Sequence, residues 1–206
     1  MKPKLNRYKS DVFSGLGCAK NFEYNLSLKT NADLSKVKSR RLRFNPRLND
    51  EMESQVKTML DADVIKLSDT DVLLPVVLAK KHDGSMRFCL DLRSLNKQLE
   101  DETYPLMTTQ EAMMQLKNSK YFSVNDMCSA FNQIPLSKDS RHLTGFQTTS
   151  GVYQFTGLCF GLKVAPLAFQ KIMHLVIGDL GFTNIIMYLD DCLIHTASVD
   201  EHFETL

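Results

Sequence analysis

Three aspartates in this chain have the type and placement for metal-dependent chemistry. Asp190 and Asp191 sit side by side in "IIMYLDDCLIH" (185–195), a run whose other residues read as a buried β-strand. An unpaired carboxylate in apolar surroundings is costly, so the pair implies either a solvated turn or a positive charge lying on it. A third acid, Asp126, closes the apolar run "YFSV" just ahead of a helix-like "MCSAFNQI". Successive strand residues face opposite ways, so adjacent aspartates cannot both reach one site from within a regular strand. At a tight hairpin turn both can stand near one opening. If the strand ending at Asp126 neighbours that hairpin, Asp126 and Asp190 converge. Clustered carboxylates repel one another, and a hard divalent cation relieves the repulsion. Magnesium favours carboxylate and phosphate oxygens and keeps several waters, so one or two acids per ion suffice. Two such ions about 4 Å apart suit in-line phosphoryl transfer. Plainer chemistry fits the same residues taken singly: Asp-Asp is common in turns, and an Asp ahead of a helix is an ordinary N-cap.

The elements around these acids follow from periodicity and turn chemistry. Asn49 is placed to cap a helix over residues 50–64, with Met52, Val56, Met59 and Leu60 on one face. Two apolar runs flank "HDGS" (82–85), a hairpin signal because Asp-Gly accepts positive φ, and Lys80, Lys81 and Arg87 cluster around it. "TTQE" (108–111) has the form of a capping box, and "LTGFQTTSGVYQFTG" (143–157) reads as a second hairpin turning at Ser150-Gly151. Pro166 suits the first turn of a helix whose broad apolar face carries Ala168, Phe169, Ile172, Leu175 and Val176. "NIIMYL" and "CLIHTA" form short strands around the acid pair, and Ser198 with Glu201 opens a last helix. His195 and His202 are expected at the surface, and the ten methionines as core filler. Strands and helices without regular βαβ alternation point to an α+β layer structure.

Composition narrows the class. The chain has 206 residues and a net charge of +1, with 43% hydrophobic content, enough for a sizeable core. The first fifty residues hold 12 Lys/Arg against 4 Asp/Glu, while the remainder is net acidic. A basic leading stretch suits either nucleic acid or a solvated linker. Five scattered cysteines without a CxxC suggest neither a disulfide framework nor a zinc knuckle, and favour a reducing, intracellular setting. No leading signal segment and no run of about 18 apolar residues is seen, which argues against secretion and membrane spanning.

The order of motifs resembles the reverse transcriptases of retroviruses and long-terminal-repeat retrotransposons, most of all the gypsy-like group. "LPVVLAKKHDGSMRFCLDLRSLNK" (74–97) looks like their fingers hairpin. "YPLMTTQEAMMQLKNSKYFSVNDMCSAFNQIPL" (104–136) looks like the segment through the first catalytic aspartate. "GLCFGLKVAPLAFQKIM" (157–173) resembles the next palm motif, and "YLDD" (188–191) matches the YxDD box. "YKSDVFSGLGCAKNFEY" (8–24) resembles the stretch joining protease to polymerase in such polyproteins. The chain departs from the pattern at Asn125, at Cys128, in "DTDVLLP" (69–75) and in "LCFG" (158–161).

The resemblance implies an α+β fold made of the fingers and a partial palm of a right-hand polymerase, with an antiparallel palm sheet packed on helices and no thumb. Residues 1–40 would be a basic linker, 41–120 mainly fingers and 121–206 mainly an incomplete palm, the last two interleaved. The activity implied is RNA-directed DNA polymerisation. Asp126 and Asp190 would be the main ligands of two magnesium ions (manganese is an alternative), with Asp191 as the third carboxylate. Lys81 and Arg87 would hold the triphosphate of the incoming deoxynucleotide, and Ser129 and Ala130 would offer backbone amides to it. Phe131 would lie under the sugar and exclude a ribose 2′-hydroxyl. Phe160 and Gly161 would border the base and template, and Tyr188 the primer terminus. The implied partners are an RNA or DNA template-primer, deoxynucleoside triphosphates, and the thumb, connection and RNase H domains of a longer polyprotein, with no membrane. The implied location is the cytoplasm, associated with particles, or the nucleus. The alternative is an inactive or repurposed retroelement remnant that binds nucleic acid or protein.

Overall fold

The computed structural model describes residues 15–37, 45–105, 107–178, 183–188 and 191–206. They fall into two compact units, each built from discontinuous stretches of chain.

The larger unit comprises residues 18–101 and 131–165. Helix α1 (Pro46–Asp61) starts four residues before the position read from the sequence. Asn45, not Asn49, is the cap: its side chain accepts from the Leu48 N–H at 2.9 Å, and Pro46 takes the first turn. Proline lacks the N–H that would be left unpaired there, and its φ is already helical, so Asn45-Pro46 opens the helix and Asn49 falls inside it. Met52 and Val56, one turn apart, are buried. Strands β1 (Ile65–Leu67), β5 (Phe146–Gln147) and β6 (Val152–Phe155) form an antiparallel sheet in the order β1-β6-β5. Strands β2 (Val76–Lys80) and β3 (Met86–Leu90) form the expected hairpin, with Gly84 at φ +85° in its turn. Phe146 is fully buried, with the rings of Phe88, Tyr153 and Phe155 within 5.8 Å centroid to centroid. Helix α2 (Arg93–Gln98) follows β3. Residues 19–37 run along this unit: Tyr24 bridges Leu136, Leu28 bridges Leu99, and Leu26 and Val37 are buried.

The smaller unit comprises the described residues of 102–130 and 166–206. Its sheet has the order β4-β8-β7, all antiparallel, from β4 (Tyr121–Asp126), β7 (Ile185–Tyr188) and β8 (Asp191–Thr196). Helix α3 (Thr109–Leu116) carries the capping box read from "TTQE": Thr108 and Glu111 satisfy each other's backbone N–H groups. A four-residue helix α4 (Lys138–Arg141) belongs to the larger unit, and helix α5 (Ala165–Ile177) enters the smaller one at Pro166. Helix α6 (Val199–Thr205) is capped by Ser198, as expected.

Four expectations are corrected. "MCSAFNQI" is not a regular helix, but a short 3-10 turn over Ala130–Gln133 preceded by Ser129 at φ +48°. A left-handed Ser129 cannot continue a right-handed helix. On α5, Ala168, Phe169 and Ile172 are buried, but Leu175 and Val176 are 64% and 58% exposed, so the packed stripe is narrower than the apolar one. Met52 and Met187 fill the core, whereas Met113 and Met114 stand exposed on α3. His195 and His202 are buried rather than superficial. Hydroxyl groups make this possible. His202 Nε2 meets Ser123 Oγ at 2.8 Å and its Nδ1 meets Thr196 Oγ1 at 3.0 Å, tying α6 to β4 and β8. His195 Nδ1 meets Ser119 Oγ at 2.9 Å, while its Nε2 is buried without a partner among the described residues.

Two measurements follow from this packing. Burial pushes the His195 imidazole below its ordinary value, with the charge of Glu201 opposing in part. The unfolded chain therefore binds this proton more readily, so the stability due to neutral His195 is complete above about pH 6.5 and is lost as pH falls below it. The urea midpoint should drop on going from about pH 7.5 to about pH 5.5, and drop less in His195→Gln; equal drops in the two proteins would contradict this. Separately, a methyl group at Gly145 would collide with Thr70 Cγ2 and the Val72 carbonyl. Gly145→Ala should cost roughly 1–3 kcal/mol in equilibrium unfolding, as overpacking does.

Candidate active site

Strand register brings two of the three acids together. Asp126 is the last residue of β4 and Asp191 the first of β8, and they are direct partners in the antiparallel pairing. On its other side Asp191 pairs with Tyr188, the last residue of β7. One row across the end of the sheet therefore reads Asp126, Asp191, Tyr188. Directly opposed residues share a face and hold their Cβ atoms about 4.5–5.5 Å apart. All three are exposed, Tyr188 at 57%. Asp190 lies outside the described residues.

Local sequence explains why the row forms. Val124 pairs with Leu193, and Leu193 with Ile186, two residues further into the sheet on the same face. Away from this end β7 and β8 are covered on both faces: Ile185, Met187, Ile194 and Thr196 are buried on one, Ile186 and His195 on the other. Gln170 of α5, itself buried, donates from Nε2 to the Met187 carbonyl at 3.1 Å and so fixes β7 immediately before Tyr188. Nothing in the sequence near Gln170 marks this role, because its partner lies 17 positions away.

Like charges directly opposed across a strand pair are unfavourable. Exposure to water softens the cost, and a divalent cation would reverse it. The donor set fits magnesium: the oxygens are hard, the position is open to water and phosphate, and one or two carboxylates are sufficient. Among the described residues no group of three His, Cys, Asp or Glu side chains is gathered tightly enough to hold an ion; the acids brought together are two, with Asp190 adjacent to Asp191 in sequence. Just beyond Asp126, Ser129 has a left-handed backbone and Ala130 is buried. Such conformations are uncommon outside glycine and tend to mark functional turns.

A second constellation lies within the larger unit. Arg87 of β3 pairs with Ala79 of β2, and the Lys81 N–H donates to the Ser85 carbonyl at 2.8 Å. Alternation puts Lys81 and Arg87 on the same, outward face of the hairpin, while Phe88 turns inward to the Phe146 cluster. Lys81 and Arg87 are both exposed. The Arg87 guanidinium carbon lies 5.8 Å from the centre of the Phe160 ring, a cation–π arrangement. Phe160 is 60% exposed, and Gly161 beside it adopts φ +97°. Phe131 is half-buried within the 3-10 turn. Sequence reading did not single out Asn96, whose side chain bonds the loop that carries Phe160.

Comparison with known proteins identifies the family and the fold. Residues 79–206 match the family model described as reverse transcriptase (RNA-dependent DNA polymerase). The Retrovirus-related Pol polyprotein from transposon 297 of Drosophila melanogaster is 33% identical over 161 residues, covering 76% of this chain and 15% of that protein. The Retrovirus-related Pol polyprotein from transposon 412 of the same organism is 32% identical over 151 residues, covering 70% of this chain and 12% of its own length. The chain thus spans a small part of these relatives. Among solved structures, the prototype foamy virus protease-reverse transcriptase superposes with a TM-score of 0.84 at 20% identity, over 99% of this chain and 27% of the viral one. The foamy viral enzyme in complex with an RNA/DNA hybrid gives 0.82 at 22% identity, over 98% and 27%. The fold is accordingly that of the fingers and part of the palm of a polymerase, and the chain belongs to the reverse transcriptase (RNA-dependent DNA polymerase) family.

Proposed function

We propose that this chain carries the nucleotidyl-transfer centre of an RNA-directed DNA polymerase from a retrotransposon polyprotein. The observation that carries the reading is the cross-strand register of Asp126 with Asp191. Asp126, Asp190 and Asp191 would hold a pair of magnesium ions, whose chemistry would be Lewis-acid activation of the primer 3′-hydroxyl and charge stabilisation at the leaving pyrophosphate.

The chain's own residues do the positioning. Lys81 acts as a point charge and Arg87 as a planar fork on the triphosphate oxygens. The backbone N–H groups of Ser129 and Ala130 add neutral donors. Phe131 closes the space that a ribose 2′-hydroxyl would need, which selects deoxynucleotides. Phe160 and Gly161 border the base and template, and Tyr188 contacts the primer terminus. The foamy viral protease-reverse transcriptase has been captured with double-stranded DNA and with an RNA/DNA hybrid, and a template-primer of either kind is the partner proposed here. Further polyprotein domains would add to the grip on that duplex, which depends on many phosphate contacts. The proposed setting is intracellular, and no described helix is long and apolar enough to cross a membrane.

The test is single-nucleotide addition to a DNA primer on an RNA template with magnesium. The wild-type chain should add a deoxynucleotide, and Asp126→Asn or Asp191→Asn should slow addition by about 100-fold or more, the scale for removing a key charge-stabilising group. Phe131→Ala should let ribonucleotides in. A wild-type chain that adds nothing, or full activity in Asp126→Asn, would overturn the reading in favour of a catalytically silent remnant.

A further inference from the structure

Asn96 sits in α2, half-buried, and makes two hydrogen bonds to one loop. Its Nδ2 donates to the Gly161 carbonyl at 2.8 Å, and its Oδ1 accepts from the Lys163 N–H at 2.9 Å. A carbonyl only accepts and an N–H only donates, so these partners fix the orientation of the amide. The pairing imitates a strand neighbour and satisfies both backbone groups at once.

The loop closes on α2 from the other side as well. Lys163 Nζ donates to the Leu99 carbonyl at 2.7 Å and pairs with the Asp101 carboxylate at 2.6 Å. Leu158, Cys159 and Leu162 are buried, so Phe160 is the exposed side chain between two anchored stretches. Gly161 fits because its φ of +97° suits glycine, and because an added Cβ would press on Leu92 Cδ1 at 3.3 Å. Its carbonyl is the atom that Asn96 holds. A chain of contacts therefore runs from Asn96 through Gly161 to Phe160, and from the Phe160 ring to the Arg87 guanidinium 5.8 Å away.

We infer that Asn96 is a positioning residue for nucleotide recognition: it locks the 160–163 loop so that Phe160 stays against Arg87 and presents that guanidinium to the triphosphate. Asn96 touches no substrate itself. This role rests on the function proposed above, in which Arg87 binds the incoming nucleotide. An exposed arginine without a backing ring samples many rotamers, and ordering it falls to the nucleotide at a cost in affinity. With the loop locked, the guanidinium is held before the nucleotide arrives. Losing Asn96 should weaken nucleotide binding and leave the chemical step nearly intact.

The experiment compares wild type, Asn96→Ala, Asn96→Asp, Arg87→Ala and the Asn96→Ala/Arg87→Ala double variant. Asn96→Asp has the same shape and keeps the acceptor for Lys163, but it cannot donate to Gly161. Both Asn96 variants should raise KM for the deoxynucleotide about tenfold while kcat stays within about threefold, the signature of lost binding rather than lost chemistry. Amide hydrogen exchange should quicken at residue 163 in Asn96→Ala, where the Lys163 N–H loses its acceptor, with the melting temperature little changed. The double variant should be hardly worse than Arg87→Ala, because Asn96 acts through Arg87. An unchanged KM in both Asn96 variants, or effects of Asn96 and Arg87 that simply multiply, would overturn the inference while polymerase activity in the wild type stands. A wild-type chain that adds no nucleotide would overturn the proposed function, and with it the nucleotide role of Asn96, whatever the exchange data show.

Discussion

Two carboxylates directly opposed across an antiparallel strand pair form an arrangement that a protein interested only in stability would avoid. Asp126 and Asp191 are held there by everything deeper in the sheet. Five further register pairs run from Asn125–Cys192 to Tyr121–Thr196, and the His202 ring ties β4 to β8 through Ser123 and Thr196. The repulsion is local and exposed to water, whereas the register is secured by the backbone ladder and by the His202 bridge to Ser123 and Thr196. The sheet can therefore hold a charge arrangement that, in the function proposed above, a bound divalent cation would make favourable.

The larger unit follows the same logic with the opposite sign. Lys81 and Arg87 share the outward face of a hairpin whose inward face is pinned by Phe88 against Phe146. Nothing in the hairpin alone fixes the tip of Arg87. That is supplied by Phe160, on a loop whose flanks are buried and whose backbone is held by Asn96 and Lys163. In each unit, then, residues that would meet substrate stand exposed at an edge, while their directions are set by buried or half-buried neighbours that are not charged toward the substrate.

Much of this was legible in the sequence, for physical reasons. Asp83-Gly84 announced a hairpin because only a few residues accept positive φ, and Gly84 has it. Thr108 with Glu111, and Ser198 ahead of α6, announced helix starts because their side chains satisfy N–H groups that the helix leaves open. The expected convergence of Asp126 with Asp190 rests on their strands being neighbours; β4 and β8 are neighbours and pair Asp126 with Asp191, while Asp190 lies outside the described residues. What stayed hidden depended on partners far along the chain. His195 and His202 are buried because Ser119, Ser123 and Thr196 meet their ring nitrogens, and no local pattern reports such pairings. The left-handed Ser129 replaced an expected helical turn, a backbone choice that serine does not advertise. Nothing in the local sequence marks Asn96 or Gln170, since each is set apart by a backbone group 65 or 17 positions away.

The central claim is that Asp126 and Asp191 are forced together by register and reconciled by a divalent cation. A double-mutant cycle in equilibrium unfolding, with Asp126→Asn, Asp191→Asn and both, run without and with magnesium, tests it most directly. Without magnesium either single substitution should raise the unfolding midpoint, and the second should then add little, because one removal already ends the repulsion. With magnesium the wild type should gain stability that both single variants lose. Independent, additive effects of the two substitutions, together with a magnesium response that survives in either variant, would contradict the account.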